Sequence, residues 1–316
     1  MLSIKELSEK FNNLDISTKR LIVVSSIILL LFLMVTGLFV PLLFILLILF
    51  GVMSSRYYKI KKAVQKDFKE NHLQRFLQEI FPDATYFPDG SIIDVNGCRE
   101  CNLFPVKKEW CETEDGLKMT FGKNNDISLE YVEVYTYVIK HDEDGDEYKE
   151  TLFRGGLFKY TFFKKFKDNI YVIPNKTKNG KPVHGLLGGE KPEFDPSKAE
   201  KDLHEIQLED VEFNELFSVF SANDEESFFI LTPQYMSLMK DLYKKHEGKI
   251  RFKFSDNYMF IAISEMDLFD FDLEYNSNRQ FDEEKTFEKC VNQTKEEIRG
   301  LEEFATTLEL GDSIFY

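Results

Sequence analysis

Cysteine and histidine are scarce and scattered in this 316-residue sequence, with four and five copies. So few cysteines exclude a disulfide scaffold in a domain of this size. No histidine stands at zinc-ligand spacing from another, or near an obvious nucleophile. Neither GK[ST] nor GxGxxG follows a strand, so the phosphate-loop and dinucleotide-binding classes are excluded as well. Nothing in the sequence pairs into a catalytic or cofactor-binding set.

Acidic residues outnumber basic residues outside the N-terminal region. The formal net charge is −15. Residues 1–55 contain four basic and three acidic residues, or +1, which leaves −15 − 1 = −16 for the remainder. A strongly acidic domain repels polyanions, so nucleic acid is excluded as a partner.

One long uncharged run, Leu21–Met53, interrupts this otherwise polar sequence. As a single straight helix its 33 residues would be about 50 Å long, against about 30 Å for the hydrocarbon core of a bilayer. Gly37 and Pro41 lie near its centre, where glycine permits a turn and proline starts a new helix. The run therefore predicts a two-helix transmembrane hairpin over residues 20–55, with the lipid bilayer as partner of residues 21–53.

Basic residues flank both ends of the run, whereas the central turn has no charge. The positive-inside rule then places both flanks in the cytoplasm, which requires an even number of crossings. We predict a multi-pass protein of the inner (cytoplasmic) membrane with both termini cytoplasmic. One tilted or kinked span is the alternative. The flanking residues are Lys19, Arg20, Arg56, Lys59, Lys61, Lys62 and Lys66.

Two further helices are predicted around the hairpin. Residues 1–19 contain a capping box, Ser3 with Glu6, and apolar residues at helical spacing. This short amphipathic helix either lies on the membrane surface or packs on the soluble domain. Residues 56–82 form a juxtamembrane helix that Pro82 ends.

Residues 83–316 are predicted to form a cytoplasmic α+β domain: a mixed, mostly antiparallel sheet with flanking helices. Ser128–Ile139 and Thr151–Phe163 have the β-branched and aromatic content of a strand pair, with a bulge at Gly155–Gly156. Ser227–Leu231 is a further candidate strand. Residues 175–201 are rich in glycine and proline, which is typical of a long mobile loop.

Helical signals recur near the C-terminus. Thr232 and Pro233 can cap and start a helix that Gly248 stops. "KIRFKF" and "YMFIAIS" alternate as a hairpin around "SDN". Residues 282–308 carry an apolar side at helical spacing.

Two sets of residues are weak metal candidates. Cys98 and Cys101 form a CxxC motif that could chelate zinc or cycle as a dithiol, with Cys111 as a third sulfur and Cys290 as a possible fourth. Ordinary reduced thiols are the alternative. Asp270, Asp272 and Glu274 would share one face of a strand and could hold a divalent cation, although charged edge strands are common without one.

Three segments carry a resemblance to a known family: "FPDATYFPDGSI" (Phe81–Ile92), "GGLFKYTFFKKFKDNIYVIPN" (Gly155–Asn175) and "VEFNELFSVFSANDEESFFILTPQYMSLMKDL" (Val211–Leu242). The sequence resembles the domain-of-unknown-function 3137 family of uncharacterised bacterial membrane proteins. The resemblance implies an N-terminal transmembrane pair, a cytoplasmic domain and a bacterial origin. It transfers no catalytic residue.

The hypothesis that follows is a membrane-anchored cytoplasmic interaction or scaffold module of the bacterial inner membrane, with a membrane protein as a possible partner. No catalytic residue and no cofactor is assigned, and we lean against an enzyme. The alternatives are a metal- or thiol-dependent enzyme and a domain that senses a small molecule or lipid through its abundant aromatic residues.

Overall fold

The structure is a computed structural model that describes residues 23–27, 32, 34, 37, 39–107, 110–121, 127–142, 145–162, 165–178, 181–182, 192–278 and 281–310. The chain divides into two units, Met1–Val64 and Gln65–Tyr316. The predicted helix over residues 1–19 and most of the first arm of the predicted hairpin lie outside the described residues.

A turn at Gly37 precedes a long helix. Gly37 has a φ of +70°, which glycine adopts without strain, and its N–H donates to the Met34 carbonyl at 3.3 Å. Helix α1 (Phe39–Asn71) then runs without interruption across residue 56. Residues Val40–Asn71 are long and apolar enough to cross a membrane. A second short helix, α2 (Leu73–Ile80), follows α1.

The second unit is built on an open antiparallel sheet of nine strands, in the order β1-β2-β3-β4-β11-β10-β5-β9-β8. The mixed α+β class is confirmed. These strands are β1 (Thr85–Phe87), β2 (Cys111–Phe121), β3 (Ile127–His141), β4 (Glu147–Thr161), β5 (Ile170–Pro174), β8 (His204–Ile206), β9 (Phe217–Ser221), β10 (Ile250–Ser255) and β11 (Tyr258–Ser264). A separate pair, β6 (Thr177–Lys178) and β7 (Lys181–Pro182), lies within the predicted loop.

Among the described residues, five α-helices accompany the strands of this unit beyond α2. They are α3 (Val95–Cys101), α4 (Val211–Leu216), α5 (Asp224–Ile230), α6 (Pro233–Lys245) and α7 (Glu283–Leu310). Thr232 caps α6 by accepting a hydrogen bond from the Tyr235 N–H at 3.3 Å. The predicted strand at Ser227–Leu231 is wrong, since most of it belongs to α5.

The β3–β4 hairpin contains one irregularity. Thr136 pairs with Phe153 and Tyr137 with Thr151, so Leu152 is the extra residue of the bulge. The bulge predicted at Gly155–Gly156 is therefore wrong. Those glycines keep regular register with β3, and a Cβ at Gly155 would stand 2.1 Å from the Ile263 carbonyl oxygen. Close approach of β11 is what excludes a side chain at Gly155.

Side-chain alternation gives the sheet two buried faces. On one face, Phe252 and Tyr235 pack with Phe304 of α7, and the rings of Tyr235 and Phe304 stack at 4.4 Å. On the other, Val132 and Val134 join a core cluster with residues of α3. Both faces are rich in aromatic residues, as the composition predicts.

The acidic segment Asp270–Glu274 does not join the sheet, so its assignment as a strand is wrong. Burial still alternates along it: Phe271 and Leu273 are buried, whereas Asp270 and Asp272 are exposed. The Gln65 amide donates to Asp270 Oδ1 at 2.5 Å and to the Phe271 carbonyl at 3.1 Å. Packing against neighbouring helices, rather than a strand ladder, holds this segment extended.

Candidate functional site

A bulge in β2 turns an aspartate into the interior of the second unit. The β2–β3 register shifts between Glu114 and Leu117, which leaves Asp115 and Gly116 without partners on β3. Asp115 has a φ of 55°, a left-handed conformation that aspartate tolerates better than most residues. The result is an aspartate that is only 3% exposed.

Asp115 accepts hydrogen bonds from two side chains. Lys69 Nζ donates to Oδ2 and the Tyr86 hydroxyl donates to Oδ1. Burial disfavours the charged form of Lys69, but the carboxylates of Asp115 and Asp267 outweigh that effect and raise the pKa of the lysine. Burial, followed by the Asp115 charge, raises the pKa of Tyr86. Lys69 therefore stays protonated and Tyr86 remains a hydrogen-bond donor.

Glu133 projects from the centre of β3 toward the same point. Its side chain is 4% exposed and has no hydrogen-bond partner among the described residues. The nearest cation is Arg154, whose Nε lies 3.7 Å from Oε1 on a side chain that is 63% exposed. Burial, followed by the charge of Asp267, raises the pKa of Glu133 to about 8. This carboxyl group therefore binds a proton more tightly than an ordinary glutamate does.

The loop after β11 supplies the third carboxylate, Asp267. Its Oδ1 accepts the Phe269 N–H at 2.9 Å. The next residue, Leu268, donates its N–H to the Tyr131 hydroxyl at 3.1 Å and accepts from Thr294 Oγ1 at 3.0 Å. Burial raises the pKa of Asp267, although Lys69 acts in the opposite direction. β3 and α7 together fix the position of this loop.

The carboxylates of Asp115, Glu133 and Asp267, here called the acidic cluster, meet closely. One oxygen from each lies within 4.8 Å of the others. Among the residues that the structure describes, no other group of three side chains brings its metal-ligating atoms this close together. Carboxylate oxygens suit hard divalent cations, so these residues could hold one, with Lys69 as the competing cation. The arrangement could equally retain a proton.

A cavity of about 260 Å³ is lined in part by Asp267. His246 and Glu297 line it, with 3.9 Å between His246 Nε2 and Glu297 Oε2. His246 Nε2 is buried and makes no hydrogen bond with any residue that the structure describes. Burial lowers the pKa of His246 against the opposing charge of Glu297, so the imidazole is neutral near pH 7. The cavity is thus polar, and Asp267 connects it to the acidic cluster.

The residues singled out in the sequence lie elsewhere. Cys98 and Cys101 are fully buried on α3, and Cys111 is half-buried at the start of β2. Cys290 is buried on α7, where Lys69 and Asp267 are among the charges that act on it. Asp270, Asp272 and Glu274 lie along the extended segment, and Lys289 donates a hydrogen bond to Glu274. Neither set places three ligand atoms within 4.8 Å of one another.

Comparison with known proteins identifies the relatives of this chain. The family described as "Protein of unknown function (DUF3137)" matches residues 151–310. The chain belongs to the DUF3137 family. No curated protein matches it. One solved structure with similarity is the crystal structure of the mycobacterial trehalose monomycolate transport factor A, TtfA, with 8% identity, 53% of this chain and 74% of that chain covered, and a TM-score of 0.24.

The DUF3137 match divides the acidic cluster. Asp267 falls inside residues 151–310, whereas Lys69, Asp115 and Glu133 precede them. None of these four residues was a candidate from the sequence. Two signals point to Asp115 and Glu133: Glu133 is a charge between two valines of a strand, and Asp115-Gly116 is a turn-forming pair inside another strand.

Proposed function

We propose that this chain is a membrane-anchored interaction module of the bacterial inner membrane, with a hairpin anchor and both termini in the cytoplasm. The observation that carries the proposal is the apolar part of α1, which is exposed along its whole candidate span. So long an apolar surface is unfavourable in water, and a bilayer or a protein partner would cover it. Two features support two crossings of the bilayer: the positive φ of Gly37, which is typical of a turn, and the basic residues that flank the apolar run.

Charge inserted into the span is expected to release the chain from the membrane. Each lysine at the centre of a spanning helix costs about 2.5–3.5 kcal/mol, so Leu46→Lys with Leu47→Lys should move most of the protein into the soluble or aggregated fraction. The measurement is carbonate extraction of membranes followed by immunoblotting. The matched control places two lysines at exposed apolar positions of the second unit, Val211→Lys with Phe228→Lys, and should stay in the membrane.

The membrane topology of the chain and its protein partner are tested by separate experiments. Tags at the two ends should both resist an impermeant reagent on intact cells and react after permeabilisation. Labelling of one end only would indicate a single span instead of a hairpin.

Crosslinking in cells before detergent extraction should recover a second membrane protein, and repeated recovery of this chain alone would contradict an interaction module.

A second candidate function, divalent cation binding, is favoured by the buried Glu133 carboxylate. All three carboxylates of the acidic cluster face one point, and Glu133 accepts no hydrogen bond there from a described residue. If all were ionised, Lys69 would neutralise only one of the three charges. A divalent cation would supply the missing positive charge, and so would a proton on Glu133.

Titration with Mn²⁺ distinguishes an acidic cluster that binds a divalent cation from one that retains a proton. Full-length protein in detergent, stripped with EDTA, should bind Mn²⁺ in calorimetry, and Glu133→Gln should weaken binding at least about tenfold, because even loss of an outer-shell partner costs about 10–100-fold in affinity. Asp270→Asn with Asp272→Asn serves as the control and should leave the affinity unchanged. No binding by the wild type, or equal losses in both variants, would leave the acidic cluster as a proton site.

A further inference from the structure

The turn that ends α6 fixes the main chain of His246. The His246 N–H donates to the Leu242 carbonyl at 3.0 Å, and the Gly248 N–H donates to the Tyr243 carbonyl at 2.8 Å. Gly248 has a φ of +78°, which glycine adopts without strain and which stops the helix. Because hydrogen bonds hold the backbone on both sides of His246, its side chain starts from a rigid position.

The His246 side chain lines the cavity of about 260 Å³ and is only 9% exposed. No group of the described residues hydrogen-bonds to its Nε2, although buried polar atoms are usually paired. The carboxylate of Glu297, on α7, faces this nitrogen: Oε2 lies 3.9 Å from Nε2, too far for a direct hydrogen bond. The two atoms are therefore spaced so that one small group could bind both of them.

The charges around this cavity favour a cation. Lys245 Nζ lies 2.8 Å from Glu297 Oε2, and Lys249 pairs with Glu265. These two ammonium groups do not balance the carboxylates, so the formal charge of the lining with a neutral histidine is 2 − 4 = −2. A lining of this sign attracts cations and repels anions. The four carboxylates belong to Glu247, Glu265, Asp267 and Glu297.

An imidazole nitrogen beside a carboxylate oxygen is a donor pair for transition metals. Imidazole suits zinc, copper, iron and nickel, whereas magnesium and calcium prefer oxygen ligands throughout. Zinc binds nitrogen at about 2.0–2.1 Å and carboxylate oxygen at about 2.0–2.2 Å, so one ion can reach two such atoms that are up to about 4.1–4.3 Å apart. The 3.9 Å between His246 Nε2 and Glu297 Oε2 falls within this limit. The cavity has room for water at the other coordination positions.

From this geometry we propose that His246 and Glu297 bind an exchangeable transition-metal dication of the zinc class, with Nε2 and Oε2 as its protein ligands and water completing the coordination. The site is distinct from the acidic cluster, whose ligands are all carboxylates, and it does not depend on cation binding there. Lys245 competes with the metal, because its ammonium group lies at the same oxygen of Glu297. Metal binding therefore displaces Lys245 from Glu297.

Calorimetric titration with Zn²⁺ tests the site. Full-length protein in detergent, stripped with EDTA and kept in excess Mg²⁺ to occupy all-oxygen sites, should bind Zn²⁺. His246→Leu should weaken this binding at least about tenfold, since even an outer-shell partner is worth that much. Leucine leaves no buried nitrogen unpaired, so the variant should fold, which the fluorescence of Trp110 checks. The matched control, His204→Leu, changes a histidine that is 54% exposed beside Asp224 and should leave the affinity unchanged.

Removal of the competing ammonium group provides a second test that misfolding cannot imitate. Lys245→Met should tighten Zn²⁺ binding about two- to fivefold, the range expected when a partly exposed ion pair no longer has to be broken. An unchanged or weakened affinity in this variant would show that Lys245 does not compete for Glu297, contrary to the proposal.

Two further variants separate this site from the other candidate ligands of the chain. Glu133→Gln should keep the full affinity for Zn²⁺, so failure of cation binding at the acidic cluster leaves this site intact. Cys111→Ser should keep it as well. The proposal is overturned if the wild type binds no Zn²⁺, if His246→Leu binds it as tightly as the wild type, or if the affinity is lost in Glu133→Gln or Cys111→Ser instead.

Discussion

Replacing Lys69 with methionine is expected to lower the free energy of unfolding of the second unit by about 3–5 kcal/mol. Methionine keeps the apolar stem but removes the cation that donates a hydrogen bond to buried Asp115. Asp115 would then lie within 4.8 Å of two more carboxylates without a paired countercharge. Removal of one partner from a buried ion pair costs more than the pair itself contributes, because the remaining charge stays desolvated.

Urea unfolding of the full-length protein in detergent measures this change. Trp110 is the one tryptophan of the sequence and reports on the second unit by fluorescence. Lys289→Met is the matched control, since Lys289 donates to Glu274 on the surface and its side chain is 56% exposed. An exposed pair contributes at most about 1 kcal/mol. Equal effects of the two substitutions would show that the acidic cluster is solvated rather than buried.

Helices and strands whose apolar residues recur at a regular spacing, and whose ends carry a capping or turn signal, were predictable from the sequence. The β10–β11 hairpin follows the alternation around "SDN", and α6 begins directly after Thr232. α7 covers residues Glu283–Leu310, close to the predicted 282–308. In each case local propensity, apolar pattern and tertiary packing favour the same structure.

The errors arise where two local signals compete. Ser227–Leu231 has the apolar content of a short strand, but the Asn223 side chain accepts the Glu226 N–H and starts a helix. Three acidic residues in its first turn favour the helix further. The segment Asp270–Glu274 alternates like a strand, yet alternation shows only which side chains are buried and not that a ladder forms.

The acidic cluster could not be assembled from the sequence because its members come from separate elements. Asp115 lies in a bulge of β2, Glu133 on β3 and Asp267 in a loop after β11, and the lysine that pairs with Asp115, Lys69, lies on α1. Only the strand order brings these positions together, and sequence spacing does not specify a nine-stranded order. The CxxC motif, by contrast, is conspicuous in the sequence, and its two thiols are fully buried on α3.

Glu133→Gln is expected to make the second unit more stable than the wild type at pH 8 and about as stable at pH 5. The pKa of Glu133 rises on folding from its ordinary 4.5 to about 8. Its raised pKa means that the folded state holds a proton that the unfolded state releases. This stabilisation is complete below pH 4.5 and is lost as the pH rises through about 8. Glutamine removes that dependence because it has no proton to lose.

The difference between variant and wild type isolates this group from others that titrate nearby. Burial lowers the pKa of His246, which contributes in the opposite direction below pH 6.5, but that contribution is common to both proteins and cancels. Between the unfolded and folded pKa values, the difference in unfolding free energy should grow by up to about 1.4 kcal/mol per pH unit. Urea titrations followed by Trp110 fluorescence at pH 5, 6, 7 and 8 measure it. A difference that stays constant across this range would mean that Glu133 is ionised in the folded protein, in which case Lys69 and Arg154 neutralise the acidic cluster without a bound proton.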